Sequence, residues 1–172
     1  MMLEEFRINS NLEIPYKLID VQEGSEQFTL FFKCFDSNQT EYSVESGGLT
    51  GQFEVVYNCC GISSKFDCDI TIGNLYDFYV QLENTYECLP GIESVAILEN
   101  YGSDKRSCMI FTFDKERRVV ISGRFMDKGT FYKSGILFEI ETDTFGVISE
   151  ILNSLKSFFN ELKRIQGHNT FY

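Results

Sequence analysis

"FYKSGILFEIETDTFGVISEILNSLKSFFNELKRI" (Phe131–Ile165) changes its period halfway along. Phe131–Thr142 alternates apolar and acidic residues, which is the period of two expected of a half-buried strand. From Thr144 to Ile165 the period lengthens. Ile148, Leu152, Leu155, Phe159 and Leu162 recur at spacings of four, three, four and three, and Ile151, Phe158 and Ile165 widen the stripe. That pattern predicts one apolar face on a helix. Asp143 can cap its start, Lys163 and Arg164 suit the negative end of its dipole, and Gly167 ends it. A strand feeding directly into an amphipathic helix sets the fold class as a mixture of the two.

The same grammar reads outward along the chain. Asn74–Leu89 carries Leu75, Phe78, Tyr79, Leu82, Tyr86 and Leu89 on one helical stripe, with Asn74 as the expected N-cap and Pro90-Gly91 as the stop. Strands are expected at Gln27–Phe35, Thr40–Glu45, Gln52–Cys60, Asp67–Ile72, Ser94–Glu99, Ser107–Phe113 and Arg118–Met126. The turn "SGGLTG" (Ser46–Gly51) and the hairpin "FDKERR" (Phe113–Arg118) join their neighbours. Phe6–Ile19 reads as a strand broken at Pro15, so residues 1–26 are the least defined segment. Short hairpins and only two helices predict an α+β fold: an antiparallel sheet with two amphipathic helices packed on one face. The 172 residues suit a single domain, 1–172, and no residue pattern repeats at a fixed period.

Composition narrows the function classes. Hydrophobic residues make up 43%, enough for a substantial core, and no apolar run approaches a membrane span. The opening "MMLEEFRINS" is acidic and polar, unlike a targeting segment, so a cytoplasmic location is expected, and the sequon at Asn38 then carries no meaning. Net charge is −11, and it is uneven: residues 1–70 hold 12 Asp and Glu against 4 Lys and Arg, a net of −8. Such a surface repels nucleic acid and anionic lipid and favours a basic partner, although it also serves solubility. Lys105, Arg106, Lys115, Arg117, Arg118, Arg124, Lys128 and Lys133 cluster along the later hairpins, interleaved with acids, without an RNA-binding aromatic motif.

Six cysteines, Cys34, Cys59, Cys60, Cys68, Cys88 and Cys108, include no C-x-x-C pair, so the spacings of structural zinc and thioredoxin-like redox sites are missing. Strand alternation assigns Cys34, Cys59, Cys68 and Cys108 to apolar rows as small core residues. Adjacent Cys59 and Cys60 are expected on opposite faces, unable to clamp one ion. Asp67 and Asp69 flank Cys68 on the other face. Such a pair suits Mg²⁺, acid–base work, or plain solvation. The single His168 lies beyond the last helix, and "GGLTG" (Gly47–Gly51) lacks the Lys-Ser/Thr of a phosphate loop. Neither a catalytic set nor a cofactor is called for, and an enzyme is not expected.

Four stretches carry a resemblance: "NLYDFYVQLENTYECL" (Asn74–Leu89), "SVAILE" (Ser94–Glu99), "VVISGRFMD" (Val119–Asp127) and "YKSGILFEIETDTFGVISEILNSL" (Tyr132–Leu155). Their order resembles the WapI-like immunity proteins of bacteria, over roughly residues 27–160. The resemblance implies a cytosolic inhibitor that binds the toxin domain of a neighbouring cell, in some cases a nuclease with a basic surface. Residues 1–26 stand outside it. The partner-binding residues expected from charge and strand parity are Glu41, Glu45, Glu54, Asp67 and Asp69, five carboxylates able to share one exposed patch. The competing readings are a small ligand-sensing or scaffold domain, marked by an apolar cavity between sheet and helices, and a carboxylate-dependent metal enzyme, marked by a deep pocket with converging acids.

Overall fold

The computed structural model describes residues 9–36, 49–88, 93–99, 107–115, 118–130, 134–142 and 145–166. Glu41, Glu45, the expected strand Thr40–Glu45, the sequon at Asn38, Pro90-Gly91, Asp143, Gly167 and His168 lie outside them. The fold is α+β, as the change of period implies. Strands β1 (Tyr16–Glu23), β2 (Glu26–Phe35), β3 (Thr50–Cys59) and β4 (Ile62–Thr71) form one antiparallel sheet in chain order, and helix α1 (Ile72–Cys88) follows. Strands β5 (Ser94–Glu99), β6 (Cys108–Phe113), β7 (Val119–Met126) and β8 (Gly135–Thr142) form a second sheet, also in chain order, and helix α2 (Phe145–Gln166) follows. Among the described residues the longer elements thus run through the order ββββα twice, an architectural repeat without a repeating residue pattern.

Each helix lies along the other half's sheet. α1 packs beside β5, α2 packs beside β1, and the helices touch each other. β1 and β5 are edge strands, and each is covered by a helix that also bonds its backbone. Gln81 of α1 accepts the N–H of Ile97 at 3.0 Å, and Ser154 of α2 donates to the carbonyl of Lys17. Covering an edge strand in this way blunts its tendency to pair with another chain.

One hydrophobic core joins all these elements. Phe158 of α2 meets Phe32 of β2 at 4.9 Å between ring centroids, and Phe159 meets Tyr76 and Tyr79 of α1 at 5.1 and 5.7 Å. Phe78 of α1 packs on Phe111 of β6 at 5.3 Å. The two sheets meet where Phe28 of β2 stacks on Phe138 of β8 at 4.4 Å and tilts against Phe125 of β7 at 5.3 Å. Phe138 lies over Gly123, its cross-strand neighbour, so closely that a Cβ there would fall 2.4 Å from the ring.

Local boundaries differ from the sequence expectation in ways that have physical causes. β4 is a full ten-residue strand, Ile62–Thr71, because it pairs along its whole length with β3. It passes into α1 with no loop, so the cap of α1 is Thr71, whose Oγ1 accepts the N–H of Asn74 at 3.4 Å. Asn74 is therefore inside the first turn, and buried, rather than at the cap. In the first segment, β1 begins only after Pro15 and continues to Glu23. Its register shifts between Lys17 and Ile19, and this bulge turns Leu18 and Ile19 both into the core.

Of the four cysteines assigned to the core, Cys68 is buried, 1% exposed. Cys34 is exposed because the register shifts between Phe32 and Cys34, which sends Phe35 inward in its place. Cys108 and Ile110 take the outer face of β6, because Met109, Phe111 and Phe113 are the bulkier row and claim the core. Cys59 has the parity of Phe53 and Val55 but sits at the strand end, only half-buried.

Leu155 is fully buried. Leu155→Ala should lose about 2–5 kcal/mol of stability, read as a lower urea midpoint with an unchanged slope. Gly123→Ala should lose roughly 1–3 kcal/mol, because the new methyl must push Phe138 off Phe28; an unchanged midpoint would show that the aromatic junction is not tightly packed.

Candidate interaction surface

Burial alternates along β3 because Phe53 and Val55 point to the core, which places Gln52, Glu54, Val56 and Asn58 on the opposite, outer face. Register then fixes what stands beside them. Glu54 is directly opposite Asp67 on β4, Gln52 is opposite Asp69, and Val56 is opposite Lys65. On the other side Glu54 faces Phe31, and Val56 faces Thr29, which in turn faces Asp20 of β1. Strands lie about 4.8 Å apart, so these side chains are within reach of one another. Glu54, Asp67 and Asp69 therefore share one outer face, as parity requires.

Glu54, Asp67 and Asp20 are each held on this face. Lys65 Nζ pairs with Glu54 at 2.9 Å, and the Glu54 side chain is only 14% exposed. Lys33 Nζ pairs with Asp67 at 2.9 Å, and this contact raises the Lys33 pKa above its ordinary value. Asp20 accepts from Lys17 Nζ at 2.7 Å, Gln27 Nε2 at 3.0 Å and Thr29 Oγ1 at 3.1 Å. Asn58 donates to Gln27 at 3.3 Å, which extends the chain of hydrogen bonds from β1 to β3. The face is thus a ladder of alternating donors and acceptors, with lysines set among the acids.

Sequence patterning does not reveal Asp20, Lys33 or Lys65 as members of this surface. Lys65 falls in the part of β4 that precedes the expected strand. Asp20 and Lys33 lie next to the two bulges, where simple alternation no longer tells inside from outside. The available signal for Asp20 is the alternation "LIDVQE" (Leu18–Glu23), visible once the strand is allowed to start after Pro15.

The basic residues of the later hairpins are largely matched by acids where they are described. Arg118 Nε pairs with Asp114 at 2.7 Å and approaches Glu141 at 3.8 Å, and Lys115 lies 3.7 Å from Glu93. The outer face of the second sheet is different in kind. Val95, Ile97 and Leu137 are exposed there, and Ile110 and Val120 are half-buried.

Two hollows bear on the competing readings. One of about 60 Å³ lies between β1 and α2, lined by Lys17, Leu18, Asp20, Glu150, Ile151 and Ser154. A more open cleft of about 260 Å³ lies between β4 and the β7–β8 connection, lined by Lys65, Phe66, Asp127, Ser134 and Ile136 among others. Both are smaller than the roughly 300–1,000 Å³ of small-molecule pockets. Among the described residues no group of three or more His, Cys, Asp or Glu side chains is arranged to hold a metal ion, and no helix is long and apolar enough to cross a membrane. Compared with known proteins, the chain matches no family model, no curated protein and no solved structure.

Asp20 supplies a pH test of the ladder. Partial burial pushes its pKa up, but the hydrogen bonds from Lys17, Gln27 and Thr29 outweigh this, and the carboxyl sits below its ordinary value of 3.8. A depressed folded pKa gives stability that is fully present above the unfolded value and lost as pH falls through the folded one. Asp20→Asn should therefore be less stable at neutral pH and show a shallower acid limb than the parent. Thermal midpoints followed from about pH 7 down to about pH 2 check this; parallel acid limbs would mean that Asp20 is not held by its donors.

Proposed function

We propose that the protein is a toxin-neutralising immunity protein that binds a basic toxin domain, such as a nuclease, through the outer face of its first sheet. The observation that carries this reading is the juxtaposition of Glu54 and Asp67 across β3 and β4, with Asp69 and Asp20 on the same face. The carboxylates are preorganised by the lysines and amides around them, so an incoming guanidinium meets acceptors already in position, with little side-chain freedom left to lose. The excess of acid in residues 1–70 favours a basic partner for the chain as a whole. On the face itself Lys17, Lys33 and Lys65 offset much of the charge, so recognition there rests on the positioned acceptors. Inhibition needs no chemistry from the immunity protein itself: a partner whose active surface is covered is neutralised by occupancy. The resemblance of Tyr132–Leu155 and the elements before it to WapI-like immunity proteins points the same way.

The test pairs the protein with a basic toxin domain, sought first among the genes that flank its own. Co-expression should rescue growth, and the two should co-purify. Glu54→Lys combined with Asp67→Lys should keep the fold, checked by circular dichroism, yet weaken binding by roughly tenfold or more, as expected if close charge pairs contribute upward of about 1.5 kcal/mol. Binding by the parent should also weaken as salt rises. A folded double variant that binds and protects like the parent places the contact surface elsewhere.

A further inference from the structure

β3 and β4 are joined by a two-residue turn, Cys60-Gly61, with φ of 50° and 83°. Positive φ at both central residues is the type I′ geometry, in which Asn-Gly is the usual occupant. A cysteine at the first position holds a backbone conformation that L side chains rarely adopt. This geometry overturns the expectation that Cys59 and Cys60 face opposite ways. Alternation holds only while the chain stays extended, and Cys60 has already left the strand. The two sulfurs lie 3.7 Å apart. Ser25 Oγ, in the neighbouring β1–β2 turn, is 3.7 Å from Cys60 Sγ, and Glu26 Oε1 is 3.5 Å from Cys59 Sγ. Cys60 is exposed and Cys59 half-buried.

We infer that Cys59 and Cys60 form a thiol–disulfide switch, closed by exchange with a low-molecular-weight disulfide such as oxidised glutathione and reopened by a dithiol reductant. The balance is simple. Cys60, the exposed thiol, loses its proton to solvent and its thiolate attacks one sulfur of the small disulfide. That S–S bond breaks, and one small thiolate leaves and takes up a proton. Cys59 then loses its proton and attacks Cys60 Sγ, the mixed disulfide breaks, and the second small thiol departs. Two protein thiols are oxidised to one disulfide, and one small disulfide is reduced to two thiols. The division of labour follows from position. Cys60 stands exposed at the turn and meets the small disulfide first, while Cys59 is half-buried at the strand end. The hydrogen bond with Cys60, with burial added, raises the Cys59 pKa. Closing the sulfurs from 3.7 Å to a bond of about 2.05 Å within adjacent residues is strained, and strained disulfides are the readily reduced ones. This role is independent of the partner-binding reading.

The experiment uses the full chain, fully reduced and then freed of reductant, so that all six cysteines begin as thiols. After incubation with oxidised glutathione, thiols are counted under denaturing conditions and linkages mapped by mass spectrometry without reduction. The expected result is a loss of two hydrogens at the Cys59–Cys60 peptide, with no glutathione retained there and full reversal by dithiothreitol. Cys59→Ser should instead accumulate a stable glutathione adduct on Cys60, and Cys60→Ser should form no linkage at this turn. Three outcomes would overturn the switch: a stable glutathione adduct on Cys60 in the parent, a dimer linked through Cys60, or an unmodified pair under conditions that modify exposed Cys34 or Cys88.

Discussion

Phe28 stacked on Phe138, with Phe125 tilted against it, is the contact through which two separate sheets share a core. Phe158 and Phe159 extend that core to both helices. The absence of a side chain at Gly123 gives Phe138 its place, so a glycine inside a strand, normally a weakness, here admits a ring. The helices make the dependence mutual. α1 follows the first sheet but covers β5, and α2 follows the second sheet but covers β1. Each half thus lays its helix against the first strand of the other half's sheet, and one core runs through both.

The outer faces of the two sheets differ in chemistry. The first carries a hydrogen-bonded ladder in which Lys17, Lys33 and Lys65 hold Asp20, Asp67 and Glu54. Where such a pair is exposed, as at Lys33 and Asp67, it adds little to stability. Their consequence is positional, since they fix where acceptors stand. The second face presents Val95, Ile97 and Leu137. The acidity of the first 70 residues is thus interleaved with base on the sheet rather than gathered into a bare acidic field.

Much of the first sheet's outer surface is legible in the amino-acid pattern. Parity alone places Glu54, Asp67 and Asp69 away from Phe53, Val55 and Cys68, and register then puts Glu54 and Asp67 face to face. Parity fails at Cys34 and leaves Asp20 unassigned, because each stands at a bulge that inserts one residue and exchanges the two faces. It fails at Cys108 for another reason. Both rows of β6 are apolar enough to be buried, and the larger Met109, Phe111 and Phe113 row wins. At Cys60 the alternation simply ends one residue earlier than expected, and that residue decides whether two thiols are apart or adjacent.

The sequence by itself determined the helix stripes, the hairpin meanders and the α+β class, because a period of 3.6 or 2 is a local property written residue by residue. Leu155 and Phe159 could be assigned to a core from spacing alone, and both are buried. Only the tertiary structure decided that eight described strands divide into two sheets, that each helix crosses to the other half, and that Thr71 rather than Asn74 caps α1. Those outcomes depend on which apolar faces meet across long stretches of chain. Hydropathy patterns say that a face will be buried; shape, bulges and the volume of particular rings decide against what.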